Sequence, residues 1–257
     1  MDMPTNDGLN NFFISNFVKE NGSKVMISGL GGDELFFGYP SYKRIPAIND
    51  IFKFIPYNKY INNFFLSIFN KFLKKNFLNT KYSGIYSHGK KIEKSFLLQR
   101  SLFIPNEIEE ILDTKIYKRG WEELNLFENL DNDISNISNR KLAIMYLEIK
   151  YYMCTKLLND ADWTSMAHSI EMRTPFVDWF FFKKLLPLLK SNIQINKISL
   201  LNIVKNKIPK SLYKRKKTGF AIPHKTYLKK ISNNNIKYAN PIKDWSLLSY
   251  DRYINSQ

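Results

Sequence analysis

KVMISGLGGDELFFGYPSYKR, residues Lys24–Arg44, is the stretch that decides the reading of this chain. Val25–Ile27 is a short apolar run of β type, and Gly29-Leu30-Gly31-Gly32 follows it as a glycine-rich turn. Asp33-Glu34 then open a segment that reads as the start of a helix. Strand, glycine turn and acidic helix start are the layout of a ligand-binding edge in a parallel α/β sheet. The glycines let backbone N–H groups approach a ligand closely. Two adjacent carboxylates at the exit of the turn offer oxygen ligands to a hard cation such as Mg²⁺, which accompanies nucleotide phosphates. The bland alternative is a strand and turn with no ligand, in which Asp33 merely caps the helix.

Length and composition bound the rest. With 257 residues, 44% hydrophobic and 15% aromatic, the chain holds enough apolar surface for one large domain or two small ones. No apolar run reaches the ~18 residues a membrane-spanning helix needs. The polar start MDMPTNDGLNN does not read as a secretory signal. The single Cys154 and the scattered His88, His168 and His224 support neither an internal disulfide nor a structural zinc site. A reducing cytoplasm is the expected setting. The net charge of +16 raises nucleic acid as a partner, yet the lysines are spread along the chain among Asn and Ile, and their densest cluster is Lys205–Lys217.

Periodicity predicts a mostly helical chain. Helices are expected over Leu9–Glu20, Tyr60–Leu73, Lys91–Phe103, Pro105–Leu112, Lys141–Leu158, Phe176–Leu186 and Ile198–Ile208. The third-last of these should end at Asn159-Asp160, the next should be largely buried and stopped by Pro187, and the last should end at Pro209. Asn125–Ser138, rich in Asn and Asp, reads as an exposed loop. Val25–Ile27 is the one convincing strand, and one parallel strand cannot be a sheet by itself.

Three separated motifs carry a family resemblance. SGLGGDELFFGYP (Ser28–Pro40) resembles the SGxGxDExFxGY signature of the asparagine synthetase family. NDADWTSMAHSIEMRTPFVD (Asn159–Asp178) is similar to that family's D-x-x-S-M-A-H-S-x-E-x-R-x-P-F-x-D segment. IPKSLYKRKKTGFAIP (Ile208–Pro223) is similar to its L-P-x-x-I-x-x-R-x-K-x-G-F-x-x-P segment. The resemblance runs from Pro4 to Leu228 and implies an α/β fold of the adenine-nucleotide alpha-hydrolase, or pyrophosphate-loop, type. Here that fold reads as incomplete: mostly helical, with one clear parallel strand remaining. Residues 1–231 are expected to be the C-terminal portion of an ATP-dependent synthetase domain, and residues 232–257 a loosely structured tail.

The resemblance also implies a chemistry. The family activates a carboxylate such as that of aspartate with ATP and Mg²⁺ to an acyl-adenylate, and ammonia derived from glutamine then displaces AMP. By match to its motifs, Asp33 would hold Mg²⁺, with Glu34 as a second ligand or a helix-dipole partner. Ser28, Gly29, Leu30, Gly31 and Gly32 would line the nucleotide pocket, and Lys217 would contact phosphates with Arg215 assisting. Asp162, Glu171, Arg173 and Asp178 match the second motif; alternation puts Glu171 and Arg173 on one side of an extended segment, as a substrate-facing pair or a structural ion pair. His168 reads as a satisfied buried histidine rather than a catalyst.

Departures from the pattern matter as much. Leu30 stands where several members of the family carry Glu or Asp, an acidic position implicated in proton transfer during ammonia attack, and Trp163 stands where many members have Arg. The 257 residues contain no SGG-x-DS pyrophosphate loop, and no glutaminase domain with its leading cysteine. The chain is therefore expected to be the C-terminal part of a truncated or split synthetase, with a partner chain supplying both. The rivals are a non-catalytic, trans-complementing binding subunit and, further off, a basic nucleic-acid-binding protein.

Overall fold

The computed structural model describes residues 5–55, 84–191, 195–209 and 241–255, with residues 58, 60, 64 and 211 singly. In chain order these form α1 (Asn6–Glu20), β1 (Val25–Ile27), α2 (Gly32–Leu35), α3 (Ser41–Phe52), α4 (Ile85–His88), α5 (Ile92–Arg100) and α6 (Pro105–Ile111). There follow α7 (Thr114–Leu124), α8 (Leu126–Ile134), α9 (Arg140–Leu147), a π-helical stretch (Glu148–Leu157) and α10 (Leu158–Met166). The chain continues with β2 (Glu171–Arg173), a 3₁₀ turn (Pro175–Val177), α11 (Trp179–Lys190), α12 (Lys197–Val204) and α13 (Pro241–Ile254). Contacts divide the described residues into two compact units, one drawn from Met1–Tyr39 and Glu148–Pro223, the other from Pro40–Leu147 and His224–Gln257. The helix expected over Tyr60–Leu73 lies outside the described residues, Tyr60 and Phe64 apart.

The first unit is built around a two-stranded parallel ladder. β1 pairs with β2 in the register Val25–Glu171, Met26–Met172 and Ile27–Arg173. The sequence reading found one strand; the second escaped it because Glu171-Met172-Arg173 has no apolar run. The expected alternation does hold: Val25, Ile27, Glu171 and Arg173 share the more exposed face, while Met26 and Met172 turn inward. α1 packs along α10. Thr5 caps α1 by accepting from the Gly8 N–H at 2.8 Å, and its hydroxyl donates to the buried Asp160 carboxylate at 2.6 Å.

That bond explains why the helix predicted to stop at Asn159-Asp160 runs on to Met166. The Asp160 carboxylate is engaged by Thr5, and the Asn159 amide donates to the Thr155 carbonyl, so neither competes for its own backbone. Ten residues of the approach, Glu148–Leu157, wind as a π-helix, a rare geometry. α11 differs from expectation in a related way. Asp178 caps it by accepting from the Phe181 N–H, Pro187 lies inside it, and Trp179 and Phe180 face outward rather than into a core. Proline removes one late hydrogen bond, and the buried Leu189 just beyond it keeps the last turn in place.

The regular elements of the second unit, among the described residues, are all helices. α3, α5, α8 and α9 pack on one another, with α4 against α5, and bury Ile45, Tyr86, Phe96, Leu98, Leu130 and Ile144. The Asn49 amide donates to the Gly89 carbonyl and to Ser95 Oγ in this interior. α8 occupies the stretch expected to be an exposed loop: Leu130 and Ile134, four residues apart, meet the core while Asn and Asp face outward. The tail expected to be loose carries α13, whose Lys243 is buried and paired with Glu107. Glu107 also accepts from the Ile104 N–H, the acidic first-turn role its position after Pro105 predicts.

Candidate active site

The glycine turn grows directly out of the ladder. The Ser28 N–H donates to the Arg173 carbonyl at 2.8 Å, one step past the last strand pair. The turn then closes on itself: Leu30 N–H donates to Ser28 Oγ, and Gly32 N–H to the Gly29 carbonyl. Gly31 takes a left-handed φ of 87° and begins α2. A Cβ on Gly31 would lie 3.1 Å from Val177 Cγ2 and 3.2 Å from the Phe176 backbone. Among the described residues, in contrast, nothing lies within 4 Å of where a Gly29 Cβ would be. Among the described residues, the turn is therefore sealed by the Pro175–Val177 turn of the second motif at Gly31 and open at Gly29. Two motifs more than a hundred residues apart in sequence form one surface.

Asp33 and Glu34 part company at the exit of the turn. The Asp33 carboxylate lies over Gly38, where a Cβ would fall 2.0 Å from Oδ1, so a side chain at Gly38 would displace the carboxylate from this position. Asp33 Oδ1 accepts from Lys197 Nζ at 2.8 Å, at the first position of α12. Glu34 is 1% exposed and accepts from the Tyr39 hydroxyl at 2.7 Å. Tyr39 in turn meets Tyr152 of the π-helical stretch edge-on. Cys154 is free and exposed; burial first, and the Glu34 charge second, push its thiol up from the ordinary value.

The second motif contributes a charged edge and a cleft. Arg173 Nε donates to Glu171 Oε1 at 2.8 Å, and the guanidinium's hydrogen bond and charge hold the Glu171 carboxyl below its ordinary range. Both side chains are exposed, so the pair orients itself in solvent beside the start of the turn. A cleft of about 270 Å³ lies between α10 and β2, walled by Asp162, Ser165, Glu171 and Thr174 with Leu158 and Met172. Behind it, burial pushes the Asp160 carboxyl up, opposed by hydrogen bonds from Thr5 and from Trp163, the residue that replaces the expected arginine. His168 packs against the Phe12 ring at 4.4 Å with Nε2 buried and, among the described residues, unbonded, unlike the satisfied histidine expected.

The pattern of the asparagine synthase family matches residues 4–239. The chain belongs to that family. The membership carries the adenine-nucleotide alpha-hydrolase fold with it, of which the described residues show many helices and one parallel two-strand sheet. Asparagine synthetase [glutamine-hydrolyzing] 1 of Bacillus subtilis (strain 168) is 26% identical over 244 residues, covering 88% of this chain and 35% of its own length. The chain thus spans about a third of that relative. No solved structure matches it.

Of the residues predicted for an asparagine synthase site, Ser28, Gly29, Leu30, Gly31, Gly32, Glu171 and Arg173 lie on the ladder and the turn that continues it, and Asp33 follows in the first turn of α2. Glu34 turns away into the interior. Lys217 and Arg215 lie outside the described residues. Sequence reasoning missed Gly38 and Tyr39, though both stand inside the first motif, and it missed Lys197, which no motif marks. Among the described residues, no cluster of three or more metal-ligating side chains occurs, and no helix is long and apolar enough to cross a membrane.

Proposed function

We propose that this chain is the nucleotide-handling part of an asparagine synthase that activates a carboxylate, aspartate or one similar, with ATP and amidates it with glutamine-derived ammonia in the cytoplasm. The observation that carries the reading is the glycine turn sealed by Phe176 and Val177 and open at Gly29, with Asp33 at its mouth. The Asp33 carboxylate fits a hard cation: it is an oxygen donor held against Gly38, and it already accepts a cationic partner in Lys197. Bound there, Mg²⁺ would neutralise phosphate charge as pyrophosphate leaves. Glu34, buried on Tyr39, does not fit as a second ligand as it stands; it braces the loop that carries Asp33.

The turn backbone binds and excludes water on the sealed side, Lys217 and Arg215 meet the phosphates, and the Glu171–Arg173 pair orients charge at the strand end. Leu30 carries no proton, so the ammonia step takes its base elsewhere or the acceptor is not aspartate. A second reading, that the chain completes a split synthetase in trans, is favoured by the exposed face of the ladder, where Ile27 is 78% exposed. The test is release of AMP and pyrophosphate from ATP, aspartate and ammonia by the purified chain, alone and with a polypeptide carrying the SGG-x-DS loop. Turnover only in the mixture supports the split form. Failure of labelled ATP to bind in either arm would sink both readings.

A further inference from the structure

We propose that Lys197 is a positioning residue for Asp33: its ammonium holds the place of a divalent cation at the carboxylate and gives way when that cation binds. The inference rests on Asp33 being the metal ligand, and three observations lead to it. First, Lys197 Nζ lies 2.8 Å from Asp33 Oδ1, across 164 residues of sequence. A second cation that approaches that oxygen meets the repulsion of the ammonium, so the two compete for the carboxylate.

Second, the lysine is the freer of the two partners. The carboxylate rests on Gly38 so closely that a Cβ there would come within 2.0 Å of it, and the Gly38 N–H donates to the Asp33 carbonyl at 2.8 Å. The lysine can move. Its side chain is half exposed on a flexible four-carbon stem, whereas its backbone is fixed by Asn196, which accepts from the N–H groups of Ile198 and Ser199. Removing the lysine's contact leaves that cap intact.

Third, Lys197 is electrostatically misplaced unless Asp33 answers it. It occupies the first position of α12, where the positive end of the helix dipole disfavours a cation. Pairing with Asp33 offsets that repulsion. Exchange of the pair for a metal then moves only the lysine side chain, while the start of α12 stays on its Asn196 cap.

Mn²⁺ binding to the purified chain, followed by electron paramagnetic resonance and calorimetry, tests this apart from any turnover. Lys197→Met should bind Mn²⁺ about two- to fivefold more tightly than the parent, the range expected when a half-exposed competing ion pair is removed. Lys197→Gln, the less apolar replacement, should do the same, and Lys197→Arg should restore parental or weaker binding. Unchanged or weaker affinity in Lys197→Met and Lys197→Gln, with binding lost in Asp33→Asn, would overturn the role of Lys197 and leave Asp33 as the ligand. Undiminished Mn²⁺ binding in Asp33→Asn would overturn the metal reading of Asp33 and the inference with it.

Discussion

Gly38 is tied to Asp33 by geometry alone, which makes it the sharpest residue-level test of the site. A methyl group at Gly38 would press on the Asp33 carboxylate, so Gly38→Ala must turn that side chain away or shift the loop. Overpacking of this kind costs about 1–3 kcal/mol. The expected outcome is a lower denaturation midpoint together with lost Mn²⁺ affinity; parental behaviour in both would show that the loop yields freely. Asp160 offers a test of sign. Burial raises its pKa, so the folded chain holds that proton more tightly than the unfolded one. The stability it contributes is present at acid pH and is lost as pH rises through the folded value. Asp160→Asn, which keeps an acceptor for Thr5, should therefore melt higher than the parent at neutral pH, with the advantage shrinking on acidification. A variant that melts lower at every pH would mean the charge itself holds Thr5. Glu171 runs the other way: its pKa is lowered by Arg173, so that pair weakens as pH falls.

At the level of elements, the legible features were those whose physics is local. The apolar run Val25–Ile27, the glycines after it and the first-turn Glu107 each announce their structure within a few residues, and each stands as read. What was hidden depends on partners far away in the chain. β2 is a strand because β1 lies beside it; two of its three side chains are charged and exposed. The end predicted at Asn159-Asp160 vanished because Thr5, 155 residues distant, takes up the carboxylate. Asn125–Ser138 read as a loop from its Asn and Asp, although Leu126, Leu130 and Ile134 keep a four-residue spacing. Lys197 had no signal at all, since an ion pair across 164 residues leaves no pattern in sequence. Helix α8 gives the corresponding prediction. Leu130 is 1% exposed, so Leu130→Ala should destabilise the chain by about 2–5 kcal/mol in denaturant unfolding. A change below about 0.5 kcal/mol would return the segment to the surface loop its composition suggests.

For the whole molecule, the family match over residues 4–239 and the 35% coverage of the Bacillus subtilis relative set the frame within which the net charge of +16 must be understood. Among the described residues the ladder has two strands of three residues each, and Ile27 stands 78% exposed on it. Such a short ladder presents backbone and apolar side chain to any extended segment that drifts past, including one from a neighbouring copy. Mutual repulsion between highly charged copies keeps them apart in dilute buffer, and added salt weakens it over about 8 Å at physiological strength. Colloidal behaviour thus separates two origins of stickiness. Light scattering that grows with sodium chloride, and subsides in Ile27→Lys, traces clumping to the strand edge. Scattering that appears only with added RNA and dissolves in the same salt traces it to the lysines. Storage conditions for the purified protein follow from which of the two prevails: low ionic strength for the first, moderate salt and nuclease for the second.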